Sequence, residues 1–448
     1  MASLVFDSAI YRDAFGTPEM REVFSDESTI AKQVAVEVAL AHVEGRLGVI
    51  PADAAAAIAR ACDPKAIDLA ALKKKTDVVG YPIVGLVAQL AQQSGDAGRY
   101  LHWGATTQDI IDTALVLQIK DALTLVAGEM AAIDAALVRL SRTHKMTVMA
   151  GRTHLQQALP ITFGYKAAVW LSMMQRHRQR LEELKPRVLV GQFAGAAGTL
   201  ASLRERGLDV SDALMDELGL GKPDIPWHVA RDGVTEAVGF LALVTGTLAK
   251  IATDVMLMMQ TEIGEAFEPF EEGRGSSSTM PQKRNPIACE FIIGAAKVVR
   301  QQVGLMLDGM VADHERATGP WQAEWVALPQ AFIAASGALK HARLMLQGLV
   351  VEPAKMRKNL DVTGGLIMAE AVMMAFAAHV GRQEAHHIVY AACRKALETG
   401  TTLAEELAKV PEVTRHFSRE EIAGLTDPAS YLGSVPQMVD RVLARSAG

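Results

Sequence analysis

Three stretches of this chain do not follow the logic of filling a helix. The most unusual runs from Glu268 to Pro286, EPFEEGRGSSSTMPQKRNP, with two glycines, three consecutive serines, three prolines and the triplet Lys283-Arg284-Asn285. Serine hydroxyls and backbone N–H groups in such a loop can cradle an anion, and Lys283 and Asn285 can complete a carboxylate site. A Ser/Gly loop is ordinarily a connector, but the ordered string Ser-Ser-x-Met-Pro-x-Lys-x-Asn-Pro is too specific for that role. The second stretch is His102-Trp103-Gly104-Ala105-Thr106-Thr107-Gln108-Asp109, and the third is Gly151-Arg152-Thr153-His154-Leu155-Gln156. A histidine titrates near neutrality and can hold or pass a proton. His154 sits in a Gly-Arg-Thr-His loop and not on an apolar helix face, which favours a functional role. His102 reads equally well as a hydrogen-bonded structural residue. His386 and His387 are adjacent, point about 100° apart on a helix and read as structural. The chain has no HExxH and no paired Cys/His spacing, so no metal is expected, and Gly191–Thr199 (GQFAGAAGT) lacks the lysine of a phosphate-binding P-loop.

A helical scaffold is expected to hold these stretches. Half of the 448 residues are hydrophobic but only 5% are aromatic, and Ala with 20 Met carries much of the apolar volume. Ala, Leu and Met favour helices, whereas aromatic residues favour strands. The spacing predicts long helices over about 113–145, 160–190 (opened by Pro160) and 234–264, a fourth after Pro286 and a fifth over about 327–350. In the third, Val234, Val238, Leu241, Val244, Leu248, Ile251, Val255 and Met258 recur at three- and four-residue spacing. Only Glu236, Lys250 and Asp254 are charged between Val234 and Gln260, so that helix is buried on most faces. Met256, Met258 and Met259 read as core. Five such helices form more bundle core than one chain can cover, which implies a bundle shared between subunits. Shorter helices precede it, with a start at Thr17-Pro18-Glu19 and an amphipathic helix from Ser28 to about Leu47. More polar helices follow it. The expected division is 1–112, a central 113–350 carrying the Ser-rich loop, and a small 351–448 domain.

Lys+Arg 45 against Asp+Glu 51 gives a net charge of −6, a poor match to nucleic acid. Cys62, Cys289 and Cys393 are isolated, which suits a reducing compartment. The opening MASLVFDSAIYRD has no basic segment followed by an apolar one, and no uncharged apolar run reaches membrane-spanning length. A cytoplasmic protein without a membrane partner is expected.

The Ser-rich loop closely resembles the signature of the fumarase/aspartase superfamily, usually written GSSxMPxKxNP. Ser276 stands where that family usually has glycine, and the preceding Gly275 can supply the same flexibility. The segment from His102 to Asp109 resembles the family's first substrate-binding segment. Gly151–Gln156 resembles its second, which carries a helper histidine. Gly195–Thr199 is similar to a further loop of the adenylosuccinate-lyase-like members. The resemblance spans the chain in the right order. It implies an all-α, three-domain fold, a homotetramer with a central helical bundle, and active sites built from three subunits. It also implies a small di- or tricarboxylate substrate and no cofactor. By position, the resemblance implies that Ser277 is the base that removes a proton beside a carboxylate, and that His154 assists as a proton donor to the leaving group or as its orienter. His102, Thr106, Thr107, Thr153, Gln156, Ser278, Lys283, Asn285 and Arg316 are implied to bind substrate. The intermediate is an aci-carboxylate dianion, which preorganised donors such as Lys283 and Asn285 stabilise. A serine base requires its alkoxide to be stabilised by Lys283 and loop amides.

Within the superfamily, Asp313-His314-Glu315-Arg316, Gly319–Trp325, Thr17–Asp26, Gln260–Phe270 and Tyr431-Leu432-Gly433 resemble the 3-carboxy-cis,cis-muconate cycloisomerase branch, whose members act in aromatic catabolism. Some bacterial members of that branch have a bulky residue where His154 stands. A retained donor makes sense where a poor leaving group must be protonated. The expectation is therefore a lyase that cleaves C–N or C–O by β-elimination and releases fumarate. The lactonising cycloisomerase is the first alternative and a catalytically inactive structural homologue the second. Trp227–Asp232 differs from the more polar stretch expected of a nucleotide-binding adenylosuccinate lyase.

Overall fold

The computed structural model describes residues 4–269, 273, 275, 279–280 and 282–446. Helix α1 (Asp26–Arg46) starts where the Ser25 hydroxyl accepts the Ser28 N–H, and Asp26 and Glu27 occupy its first turn. Capping and acidic residues there satisfy free N–H groups and the helix dipole. Five long helices follow, α2 (Thr107–Thr143), α3 (Phe163–Val188), α4 (Asp232–Met259), α5 (Ile287–Gly309) and α6 (Pro320–Gln347). The all-α expectation holds.

Several boundaries differ from the sequence reading: α2 begins at Thr107 and not at about 113, α6 begins at Pro320 and not at about 327, and two further differences have a clear local cause. Pro160 does not open a helix. Residues Val148–Thr153 (β1) and Gln156–Thr162 (β2) form an antiparallel hairpin with Ala150 opposite Pro160, and α3 begins at Phe163. A two-stranded ribbon consists only of edges, where a proline without an N–H is tolerated. Helix α4 stops at Met259, because the N–H groups of Ile263 and Gly264 both turn back to the Gln260 carbonyl, at 2.9 and 2.8 Å.

Contacts divide the chain into two compact units. The first combines Met1–Met130, His177–Leu248 and Phe291–Lys340; the second combines Ala131–Arg176, Ala249–Glu290 and His341–Gly448. In the first, α1 buries Ile30 and Val34 with Ile58, Leu86 and Ile110, and Leu40 and Val43 with Val116, Phe193 and Leu214. In the second, the hairpin packs on α7 (Pro353–Leu360), with Ala150 against Leu360 and Met368. A further cluster around Val372, Phe376 and Leu403 closes the C-terminal helices.

All eight apolar positions read for α4, from Val234 to Met258, are buried. The methionine stripe is only partly core: Met258 is buried, whereas Met256 and Met259 are half-buried. By length and composition α4 would be able to cross a membrane, but its eight-residue stripe is packed inside the protein, as in a core helix. Its other faces leave Leu243 and Leu257 exposed, and Val169 on α3, Leu307 on α5 and Val326 on α6 are exposed as well.

Candidate active site

In the first unit, the His102–Asp109 segment leads into the N-terminus of α2. Asp109 holds it in place. Its carboxylate accepts the N–H groups of Thr106 (2.9 Å), Ala194 (3.0 Å) and Gly195 (2.9 Å) and contacts His228 Nε2 at 2.8 Å. The Gly195–Thr199 loop is thereby fixed against the start of α2. One turn on, Asp112 accepts from Arg231, Gln192 and Trp321, and Arg231 also pairs with Glu324. Arg231 and both carboxylates are buried, and the one guanidinium charge is shared between the two acids. Arg316 lies over this frame, donating to the Ala196 carbonyl at 3.0 Å and the Thr106 hydroxyl at 3.4 Å. Thr106 and Thr107 stand at the N-terminus of a long helix, where N–H groups and the dipole favour anions.

His102 adopts a left-handed backbone conformation, φ 57°. Its Nδ1 contacts Glu37 Oε1 of α1 at 2.6 Å. Burial opposes protonation of this imidazole, but the hydrogen bond and charge of Glu37, with Asp109 adding to it, prevail and raise its pKa above the ordinary histidine range. Glu37 thus shifts His102 towards the imidazolium form, beside the start of α2. Behind it on α1, Glu44 is fully buried and neither carboxyl oxygen has a hydrogen-bond partner among the described residues. Burial, reinforced by Glu37, pushes its pKa up to about 9, so this carboxyl is neutral at physiological pH.

In the second unit, His154 and Leu155 form the two-residue turn between β1 and β2, with φ of 50° and 64°, and Thr153 pairs with Gln156. Positive φ at both central positions matches the twist of a hairpin but is costly for side chains other than glycine. The base of the turn is anchored by Arg152, bidentate to Glu265 at 2.8 and 2.7 Å. Asn359 Nδ2 donates to the same fully buried Glu265, and Gln157 donates to the Asn359 carbonyl. His154, Thr153 and Gln156 project from this braced turn and are exposed.

The signature loop also lies in this unit, and only part of it is described. The Asn285 N–H donates to the Gly275 carbonyl at 2.9 Å. Gly275 has φ 68°, and a Cβ there would meet the Asn285 carbonyl at 2.6 Å, so this position requires glycine. Glu268 caps α5 through the N–H groups of Ala288 and Cys289, and Arg284 donates to the Glu268 carbonyl. Lys283 is exposed and Asn285 is half-buried. The expected base Ser277 and the expected substrate ligand Ser278 lie outside the described residues.

The structure thus brings His102, Thr106, Thr107 and Arg316 into one cluster, and Thr153, His154 and Gln156 onto one turn. Sequence reasoning missed Glu37 and Glu44, although an available signal was a pair of acids interleaved with Val34, Leu40 and Val43 on the core face of α1. It also missed the hairpin itself. Among the described residues no group of acidic, histidine and cysteine side chains suited to a metal occurs.

Two family models match this arrangement. Residues 13–301 match the Lyase family and residues 365–442 match the adenylosuccinate lyase C-terminus. The chain belongs to the fumarase/aspartase superfamily. Superfamily relatives differ in reaction. A trans-aconitate decarboxylase 1 from Mycosarcoma maydis is 48% identical over 97% of this chain and 88% of its own length. A 3-carboxy-cis,cis-muconate cycloisomerase from Bradyrhizobium diazoefficiens is 45% identical over 95% of each chain. An N-acetyl-S-(2-succino)cysteine lyase from Dickeya dadantii is 41% identical over 100% of this chain and 99% of its own. The solved structure of a fumarate lyase from Mesorhizobium sp. BNC1 superposes with a TM-score of 0.91 at 54% identity, over 96% of this chain and 98% of that one. The protein is an enzyme of this superfamily.

Proposed function

We propose that this enzyme catalyses β-elimination from a succinyl-bearing substrate, releasing fumarate and a leaving group bound through nitrogen, oxygen or sulfur. The observation that carries this reading is the position of His154 on a braced, strained turn, where an imidazole can donate a proton. Elimination needs such an acid when the departing atom cannot leave as an anion. In the reaction, Ser277 removes the proton beside one carboxylate of the succinyl group. The electron pair passes into that carboxylate, giving the aci-carboxylate, which Lys283 and Asn285 stabilise. The pair then returns to form the double bond as the bond to the leaving group breaks, and His154 protonates the departing atom. The other succinyl carboxylate binds at Thr106 and Thr107, with His102 and Arg316 beside them. A relative named for an S-(2-succino) substrate supports the succinyl group as the unit acted on.

The lactonising cycloisomerase is the second reading, supported by the identity to relatives of that name over nearly the whole chain. Trans-aconitate, 3-carboxymuconate and N-acetyl-S-(2-succino)cysteine all carry three carboxylates, so both readings favour a tricarboxylate. The homotetramer with shared sites, the 1–112, 113–350 and 351–448 division and the cytoplasmic location belong to the same proposal. The exposed apolar residues on four long helices support the tetramer.

The test is a panel of N-, O- and S-succinyl compounds and 3-carboxymuconate, with fumarate and lactone both assayed. Fumarate from a succinyl compound is expected; lactone with no fumarate from any member would transfer the assignment to the cycloisomerase. With the true substrate in hand, His154→Ala should cost most where the leaving group has the highest pKa, about 10²-fold or more in kcat/KM. An equal loss across a leaving-group series would remove the acid role.

A further inference from the structure

Beside the His154 turn, and within the second unit, lies a cavity of about 440 Å³ whose polar lining is Arg152, His154, Lys166, Asp254 and Gln260. Leu257 and Met258 of α4 supply apolar wall. Its charges do not cancel. Arg152 is taken up by Glu265, bidentate at 2.8 and 2.7 Å. Asp254 accepts the Trp170 indole N–H at 3.0 Å and is ion-paired with Lys250. Lys166, in the first turn of α3, has no hydrogen bond and no ion pair among the described residues. Lys250, Lys166 and Arg152 set against Asp254 and Glu265 leave one positive charge before His154 is counted, and the ammonium without a partner is that of Lys166.

A half-buried ammonium without a partner is costly to keep, and a structural lysine would pair with one of the two carboxylates nearby. Here Glu265 is held by Arg152 and Asn359, and Asp254 by Trp170 and Lys250 through one oxygen, and neither hydrogen-bonds the Lys166 ammonium. The Lys166 ammonium is therefore open to an anion that enters the cavity. We propose that Lys166 is a specificity-determining residue: it binds a carboxylate carried by the leaving-group portion of the substrate, next to the histidine that protonates the departing atom. The assignment to that portion rests on the β-elimination reading, because His154 faces the same cavity. A compact ammonium with three donors suits a carboxylate, and Gln260 offers an amide N–H to its second oxygen. Burial lowers the Lys166 pKa, and the charge of Asp254 opposes that shift.

The experiment compares S-(2-succino)-N-acetylcysteine with S-(2-succino)-N-acetylcysteamine, which lacks only the leaving-group carboxylate. The wild-type enzyme should prefer the former, and Lys166→Met should shrink that preference about 10- to 100-fold, mainly through KM. Lys166→Arg should restore part of it. Equal losses on both substrates, or a changed assembly size by light scattering, would make Lys166 structural and overturn the proposal. If the wild-type enzyme turns over neither thioether, the elimination reading fails on those substrates while Lys166 is still judged by binding. Calorimetry with tricarballylate and glutarate should show a wild-type preference for the tricarboxylate that Lys166→Met removes. An unchanged preference would overturn the subsite.

Discussion

Glu37 and Glu44 show how two acids on one buried helix face act in different ways, the first on the charge of His102. Glu37 holds His102 at 2.6 Å and favours its imidazolium form. Replacing the carboxylate by an amide in Glu37→Gln removes that support, so the His102 pKa falls. If imidazolium binds the substrate carboxylate, kcat/KM declines as pH rises through that pKa. In the variant the declining limb should therefore begin at lower pH, and a pH–rate profile reads the shift. An unchanged basic limb would separate Glu37 from His102 function. Glu44 acts in the opposite sense on stability. Its pKa is about 9 in the fold, well above the ordinary glutamate range. Between those values the folded chain holds a proton that the unfolded chain releases, so stability falls as pH rises through that window. Glu44→Gln removes this dependence and should stabilise the protein, by about 2 kcal/mol or more at about pH 8 and little at about pH 5. Thermal melts at the two pH values test it; an equal gain at both would place the Glu44 proton elsewhere.

At the scale of the element, the hairpin is a device for presenting His154. Its two central residues are in left-handed conformations, which the chain tolerates because Arg152, Glu265, Asn359 and Gln157 brace both strands. Arg152→Met leaves the fully buried Glu265 carboxylate with Asn359 as its one remaining side-chain partner among the described residues. Removing one member of a buried ion pair costs about 3–5 kcal/mol, and the partial exposure of Arg152 places this case near the lower end. Chemical denaturation should show a loss of about 3 kcal/mol. Adding Glu265→Gln should recover part of it by removing the stranded charge, while activity stays low because the turn is still loose. Full recovery of activity in the double variant would show that the brace does not position His154.

At the scale of the whole molecule, the proposed tetramer makes a quantitative prediction. His154 and Ser277 of one site come from different subunits in that assembly, so two inactive variants can restore one another. Random co-assembly of His154→Ala and Ser277→Ala chains in equal amounts should rebuild about a quarter of the sites, since each residue is intact with probability one half. Co-expression with two affinity tags isolates the mixed species. Activity no higher than either parent in proven hybrids would place both residues in one subunit.

The sequence by itself determined the family, the helical class and the motif residues. Those depend on local composition, three-and-four periodicity and short strings such as Met280-Pro281-Gln282-Lys283-Arg284-Asn285-Pro286. It also placed the core stripe of α4, because an apolar period on a long helix has only one way to be buried. Tertiary structure decided the rest. The Pro160 segment became a strand because its partner, Val148–Thr153, lies across a turn and not along a helix. Glu37 gained its meaning from His102, 65 residues away in the chain. Lys166 was an unremarked helix residue until Arg152 and Asp254 beside it proved to be committed to other partners. Spacing along a chain records which residues share a helix face. Only packing reveals which charges have been neutralised.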